Sequence, residues 1–365
     1  MILSIESSCD DSSLALTRLA DCKLLFHTKL SQDSHHSPFG GVVPEIASRL
    51  HAENLPLLLS KLTDFLRTLT PSAPLSPLKA IAIANRPGLS VTLSEGMCMA
   101  NALALSLKLP LICLNHLKGH IYSLFIDTPR AHIGEGLGVL LVSGGHTQIL
   151  HMRDYEHITL VAQSLDDSFG ESFDKVAKML SLGYPGGPIV ESYAAKHSGA
   201  LLPMPIPLLR DKRLSFSFSG LKNAVRLEIL KAQGITENGA QSIVEGGALE
   251  ELRAQICASF QEAACAHILN KLRIYFERYG AHFTHFGVVG GASANAFLRA
   301  KIESLCHEFD KRLILAPLEF CADNAAMIGR LACEAYARRD FSPLNDTISP
   351  KSLAEDFLRD CGVGI

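Results

Sequence analysis

The stretch GVLLVSGGHTQIL, residues 138–150, constrains the fold more than any other. Val139, Leu140, Leu141 and Val142 form a short apolar run with β-branched ends, which predicts a buried strand. Ser143, Gly144 and Gly145 break the run, and a second strand begins at Ile149 and Leu150, so the segment reads as a hairpin. Glycines at the turn let a ligand oxygen approach bare backbone amides. Ser143, His146 and Thr147 add donors around the same point. The turn therefore reads as an anion-binding hairpin for a phosphate or acyl phosphate; an ordinary tight hairpin with polar decoration would use the same residues.

A second polar hairpin opens the chain. Ile2 to Ile5 predicts a strand, Glu6 to Ser13 a tip of acids and hydroxyls, and Leu14 to Thr17 the return. Further along, Ala80–Ala84 and Leu111–Leu114 read as buried strands around a helix over 91–108, and this alternation indicates an α/β fold. A third strand, Phe286–Val289, runs into Gly290-Gly291-Ala292-Ser293-Ala294-Asn295 and a helix start, a pattern that suits an adenosine or phosphate. Helices are predicted over 172–182 and 249–279, a loop over 236–246, and a kink or break at Pro56 in the helix that opens at Pro44.

Three features bear on chemistry. His116 and His120 stand at i and i+4 if a helix starts at the end of the Leu111–Leu114 strand, so both imidazoles share a face and suit one metal ion; two surface histidines would show the same spacing. The residue after His116 is Leu117, so the HExxH pattern with its adjacent glutamate base is absent. Asp323 stands where a cap of the helix over 325–337 would stand; it reads either as that N-cap or as a third ligand beside the two histidines. Finally, Arg210, Lys212, Arg213, Lys222, Arg226 and Lys231, with Phe216 and Phe218 interleaved in the strand period, form the most basic neighbourhood. It reads either as a nucleic-acid contact or as a surface charge cluster.

Composition removes some classes. No apolar run reaches the ~18 residues of a membrane span. The N-terminus has no basic region ahead of its apolar residues and turns acidic at Glu6, unlike a signal peptide. Ten scattered cysteines without a CxxC pair fit a reducing cytoplasm better than a disulfide framework. A formal net charge of -3 gives no global basic field, so a nucleic-acid substrate needs a local patch or charge supplied by partners.

IESSCDDSS, FGGVVPEIASR, NHLKGH, VSGGHTQ, GESFDKVAK, YPGGP, FSFSGLK, GGASAN and FCADNAAM occur in one order along nearly the whole chain. In these stretches the sequence resembles the TsaD family of bacterial tRNA adenosine threonylcarbamoyltransferases, earlier described as O-sialoglycoprotein endopeptidases. The resemblance implies a two-lobed actin-like, sugar-kinase-like ATPase fold with the active site in the interlobe cleft. The lobes are expected over 1–125 and 126–323, with a C-terminal helix over 324–345 packing back on the first. It implies a divalent metal, Fe²⁺ with Zn²⁺ as the alternative, held by His116, His120 and Asp323. It assigns threonylcarbamoyl-AMP to Leu141, Val142, Ser143, Gly144, Gly145, Asp174, Gly187 and Asn295.

The implied reaction moves the threonylcarbamoyl group to N6 of the adenosine next to the anticodon in tRNAs reading codons that begin with A. AMP is released. Asp11 is the candidate base, or orients water or the amine. The implied partners are tRNA, a TsaB-like paralogue, a TsaE-like P-loop ATPase and a TsaC-like synthase supplying the adenylate; the location is cytoplasmic and no membrane is involved. Three positions depart from the family pattern: Asp11 stands where Glu is more frequent, Lys118 replaces an acid, and Asn85-Arg86-Pro87-Gly88 replaces a smaller glycine-rich turn. A metalloprotease and an actin-like ATPase or kinase are the alternative readings at this stage.

Overall fold

Strands and helices alternate as the apolar runs predict. The computed structural model describes residues 1–128, 136–232 and 247–359, so the loop expected over 236–246 lies outside the described residues. In chain order the elements are β1 (Ile2–Glu6), β2 (Asp11–Thr17), β3 (Leu24–Ser31), α1 (Asp33–His36), α2 (Pro44–Leu69), β4 (Ala80–Arg86), α3 (Ser90–Leu107), β5 (Leu111–Asn115) and α4 (His116–Tyr122). They continue as β6 (Leu137–Val142), β7 (Thr147–Met152), β8 (Ile158–Gln163), α5 (Phe169–Met179), α6 (Gly186–Ala194), α7 (Ser219–Ala232) and α8 (Gly247–Tyr279). The last are β9 (His285–Val289), α9 (Ala296–Glu308), β10 (Arg312–Leu315), α10 (Ala325–Arg338) and β11 (Leu358–Arg359).

Contacts divide the chain into two units: Met1–Gly134 with Arg153–Ile158 and Leu315–Leu358, and Glu135–Met152 with Thr159–Ile314 and Arg359–Ile365. The first unit carries a sheet of order β3-β2-β1-β4-β5, antiparallel across β1–β2 and β2–β3 and parallel across β1–β4 and β4–β5. The second sheet runs β8-β7-β6-β9-β10, with the two-residue β11 beyond β8. Here too the first two strands, β6 and β7, pair antiparallel, and β6 pairs parallel with β9. Each unit thus repeats one plan, an antiparallel hairpin whose first strand is central and whose next neighbour is parallel. The repeat puts the acidic tip after β1 and the glycine tip after β6 at equivalent points.

The core of the first unit is aliphatic. Leu55, Leu58, Leu62 and Leu66 of α2 pack with Leu3, Ile5, Leu14 and Leu16 of the sheet, all essentially without solvent contact. Of the kink or break expected at Pro56, the break does not occur: α2 runs from Pro44 to Leu69 with Pro56 inside it. A proline in a helix interior costs about 3 kcal/mol, whereas each buried leucine contributes roughly 1.5–3 kcal/mol; four of them outweigh the lost bond. The residues over 215–220 also differ from the alternating pattern. Only Phe216 makes a strand-like bridge, to Ser164, and α7 already begins at Ser219. The two phenylalanines are wholly buried, packed on His267, with Phe218 also against Phe169.

Helix α10 packs on β1, β2 and α4. Its first turn is pinned by Ser4 Oγ donating to Ala325 O at 2.7 Å and by Ala325 N–H donating to Ser13 Oγ at 3.0 Å. Gly329 lies so close to the sheet that an added Cβ would stand 2.8 Å from Ser4 Oγ and closer still to Thr17 Oγ1. Gly329→Ala is therefore expected to destabilise the first unit by about 1–3 kcal/mol, read as a lower denaturant midpoint, while Ala335→Gly on the same helix should lose only about 1 kcal/mol.

Candidate metal centre and anion-binding hairpin

β5 ends in Asn115, whose side-chain oxygen accepts from Leu117 N–H at 2.8 Å and Lys118 N–H at 3.2 Å. That cap starts α4 at His116, so His116 and His120 do fall on one face, with ring centroids 4.6 Å apart. Asp323 meets them: its Oδ1 lies 3.4 Å from His116 Nε2 and 3.1 Å from His120 Nε2. Its expected capping role is taken by the next residue. Asn324 has the extended backbone of an N-cap and accepts from Met327 N–H at 2.9 Å, which leaves the Asp323 carboxylate free to face the histidines. Gly119 permits the meeting of α4 and α10, because an added Cβ there would stand 2.7 Å from Ile328 Cδ1.

The donor set suits a cation. The candidate ligand atoms of His116, His120 and Asp323 all lie within 4.8 Å of one another. His120 is fully buried, yet neither ring nitrogen has a hydrogen-bond partner despite the nearby carboxylate. An unpaired buried imidazole is costly unless something binds it, and two imidazoles with one carboxylate form a known borderline-metal set that leaves coordination positions open.

One supporting residue was legible in the sequence only as part of an acidic tip. Glu6, the last residue of β1, is fully buried, and its Oε2 accepts from His116 Nδ1–H at 3.0 Å. Its other oxygen accepts from Ser8 N–H at 2.6 Å, and Ser8 Oγ lies 3.1 Å from the same His116 nitrogen. A carboxylate on Nδ1 fixes the tautomer that leaves Nε2 free for a metal and raises the basicity of the ring. The signal was present as an acid closing the mainly apolar ILSIE strand, an inconsistency that needs a buried partner.

Charge follows this geometry. Burial opposes a charge on His116, but Glu6 and Asp323 outweigh it and hold its pKa well above the ordinary imidazole range. Burial keeps His120 neutral by lowering its pKa. Burial alone would raise Asp323, but the adjacent His116 prevails and holds it well below the usual carboxylate range. Asp10 is raised by burial and then by Asp323. Asp11, the candidate base, is the first residue of β2 and pairs with Lys29 at 2.8 Å. Burial pushes its pKa up to about 7 against the pull of that ammonium.

In the second unit the glycine turn is built as expected. Ser143 N–H donates to His146 O at 2.8 Å, closing the tip between Val142 and Thr147. The tip is gripped from beneath: Gly170 would place a Cβ 2.5 Å from Ser143 O, and Gly290, at φ 92°, would collide with Val142 O. By contrast, a Cβ on Gly144, Gly145 or Gly187 would meet nothing within 4 Å, so packing does not demand glycine there and the space is open to a ligand. Leu141 and Val142 are fully buried strand residues. Asp174 Oδ1 accepts from Gly186 N–H at 2.7 Å and so ties the YPGGP turn to α5. Asn295 caps α9, accepting from Leu298 N–H at 2.7 Å and donating to Gln261 at 3.0 Å. Helix α5 starts at Phe169 rather than 172 because Ser168 caps it, accepting from Glu171 N–H at 3.0 Å.

Three of the six cations in the basic neighbourhood are held in ion pairs, Lys231 with Glu228 at 2.6 Å among them. Lys222 pairs with Asp167 at 2.8 Å and Arg213 with Asp211 at 2.6 Å, and the interleaved phenylalanines are core residues rather than stacking platforms.

Residues 23–330 match the TsaD family, described as tRNA N6-adenosine threonylcarbamoyltransferase. The chain belongs to this family. A protein of that name from Helicobacter hepaticus is 56% identical over 380 residues, covering 98% of this chain and 100% of the relative. One from Helicobacter pylori strain J99 is 57% identical over 360 residues with the same coverage, and one from Wolinella succinogenes is 56% identical over 353 residues, covering 96% and 99%. Among solved structures, full-length HypF in its phosphate- and nucleotide-bound form aligns with a TM-score of 0.55 at 13% identity, over 96% of this chain and 56% of that one. That likeness, with the repeated sheet order, gives the two-lobed actin-like fold. The described residues contain no helix long and apolar enough to cross a membrane.

Two outcomes are expected at the candidate metal centre. Gln at position 6 has one carbonyl oxygen for two donors, so Glu6→Gln should lower metal affinity about 10–100-fold in a calorimetric titration. A cation and the Nε2 proton of His116 compete for one lone pair. Because the His116 pKa is raised, cation uptake should release a proton, and apparent affinity should keep climbing as pH rises beyond the ordinary imidazole range.

Proposed function

We propose that the protein transfers the threonylcarbamoyl group of threonylcarbamoyl-AMP to the N6 amine of the adenosine next to the anticodon in tRNAs reading codons that begin with A, releasing AMP. The reading rests on one observation above all: a chain of this family carries two buried histidines, His116 and His120, the first buttressed by Glu6, facing the half-buried Asp323. Those three residues would hold one divalent ion, Fe²⁺ or Zn²⁺, which when bound supplies Lewis-acid polarisation and an orienting charge.

The remaining work belongs to the chain. The N6 amine is a weak nucleophile, its lone pair being delocalised into the purine ring, whereas the mixed anhydride is already activated. Catalysis is then mainly positioning and stabilisation of developing charge. N6 attacks the carbamoyl carbonyl carbon, the bond from that carbon to the phosphate oxygen breaks, and AMP leaves with the electron pair. N6 loses one proton. Asp11, with a pKa near 7, is the acceptor we assign, poised close to working pH as general bases are. The adenylate is assigned to the backbone of Leu141 to Gly145, to Asp174 and Gly187 at the YPGGP turn, and to Asn295 at the start of α9. The open space over Gly144, Gly145 and Gly187 supports this.

A TsaC-like synthase would supply the adenylate, and a TsaB-like paralogue and a TsaE-like P-loop ATPase would complete the machinery. The formal net charge of -3 supports recruitment of tRNA with the help of those partners. We place the protein in the cytoplasm, a reading supported by ten scattered cysteines without a CxxC pair. A protease mechanism would need a base beside the histidine pair, and Leu117 holds that place.

The test is an in-vitro transfer assay with labelled threonine, bicarbonate, ATP, synthase, partner proteins and unmodified tRNA. Wild type should label tRNA, and His116→Ala, His120→Ala and Asp323→Ala should each lose label by at least about 100-fold. Unlabelled tRNA with wild type, beside an active homologue, would defeat the reading. The pH profile tests Asp11 separately. Activity should fall as pH drops through about 7. Lys29 lowers the Asp11 pKa, so Lys29→Met should move that acid limb to higher pH; an unmoved limb would remove Asp11 from the role.

A further inference from the structure

We infer that Asp356, in the segment after α10, is a positioning residue for the metal-ligand helix: it orients the Asn115 side chain and through it fixes the N-terminus of α4, which carries His116 and His120. The inference rests on the reading of His116, His120 and Asp323 as cation ligands.

Asn115 is the last residue of β5 and the cap of α4, and only its Oδ1 can serve as that cap. Turned over, the amide could not cap, because it would present Nδ2, a donor, to two N–H donors. What forbids the turned-over state is an acceptor on the other side. Asn115 Nδ2 donates to Asp356 Oδ2 at 2.9 Å and to Ser352 Oγ at 3.1 Å. An ionised carboxylate can only accept, so it holds the NH₂ toward itself and the oxygen toward the helix.

Asp356 is itself locked. It is 5% exposed, receives Arg86 Nε and Nη2 at 3.0 and 2.9 Å on Oδ1, and receives Leu353 N–H at 2.7 Å on Oδ2. The same segment also braces the other support of His116. Gly88 N–H donates to Pro350 O at 3.3 Å, and Leu89 N–H donates to Ser8 O at 2.8 Å. Ser8 is the residue whose hydroxyl stands beside His116 Nδ1. Arg86 is the cation on Asp356, and Lys118 Nζ lies over the Phe357 ring, 5.8 Å from its centroid. His116 is the first residue of α4, so any rotation of that helix start moves its Nε2 directly. Metal–ligand distances tolerate only about 0.2 Å.

The test uses the full-length protein and Co²⁺ as probe, with amide hydrogen exchange as a readout that needs no metal. Wild type should bind one Co²⁺ with a visible ligand-field spectrum, and His116→Ala should lose it. Asp356→Ala should weaken Co²⁺ by about 10-fold or more, alter the spectrum, and speed exchange at the Leu117 and Lys118 amides. Leu62→Ala, a core truncation in α2 of the same unit, should lower the thermal midpoint while leaving Co²⁺ affinity and those two amides unchanged. If Asp356→Ala fails to fold, Asp356→Asn decides the same comparison. Unchanged exchange at Leu117 and Lys118, or an unchanged affinity and spectrum, overturns the inference. So does an equal loss in Leu62→Ala, which would reduce the effect to general stability. A wild type that binds no Co²⁺ overturns the cation reading and the inference with it.

Discussion

The hydrogen bond from His116 to Glu6 is the constraint on which the first unit's chemistry depends. Both groups are buried, and a buried carboxylate is tolerated only when it is paired and its remaining lone pairs are filled. Ser8 N–H and the His116 ring do this for Glu6. Once Glu6 is placed, the rest is largely forced. His116 must point Nε2 toward Asp323, Asp323 must leave the capping role to Asn324, and His120 must come in behind on the next turn of α4. The acidic end of an apolar strand thereby decides where a short helix stands.

The two units obtain their tips by the same device and use them differently. In each, the first strand of a hairpin is central to its sheet, so the turn that follows it emerges at a fixed place. The first tip is filled with acids whose charges are offset by neighbouring imidazoles and Lys29. The second is emptied of side chains at Gly144 and Gly145 and held rigid from below by the close approach of Gly170 and Gly290. One tip presents carboxylates and hydroxyls and the other bare backbone, and neither needs more than a local change of residue type on the shared plan.

Much of this was legible in the sequence because it is written in local terms. Strand period, glycine punctuation and the i, i+4 histidines are all short-range signals, and the hairpins, the α/β alternation and the shared face of His116 and His120 follow from them. What was not legible is set by long-range packing. Pro56 reads as a break because the aliphatic face that carries α2 past it is completed by β1 and β2. Phe216 and Phe218 read as an alternating strand because their burial against His267 and Phe169 is a tertiary fact. Asp323 and Asn324 both suit an N-cap, and the choice between them is made by the histidines more than two hundred residues earlier. The link from Asp356 to Asn115 has no local signature of any kind.

The central claim is that two histidines and one aspartate hold a metal ion in the first unit. X-ray absorption at the metal edge of the protein loaded with one equivalent of Fe²⁺ or Zn²⁺ tests it most directly. The account predicts two imidazole ligands, identified by their outer-shell scattering, and a carboxylate oxygen, with the imidazole signal falling to one ligand in His120→Ala. A spectrum of oxygen ligands alone, unchanged by that substitution, would contradict it.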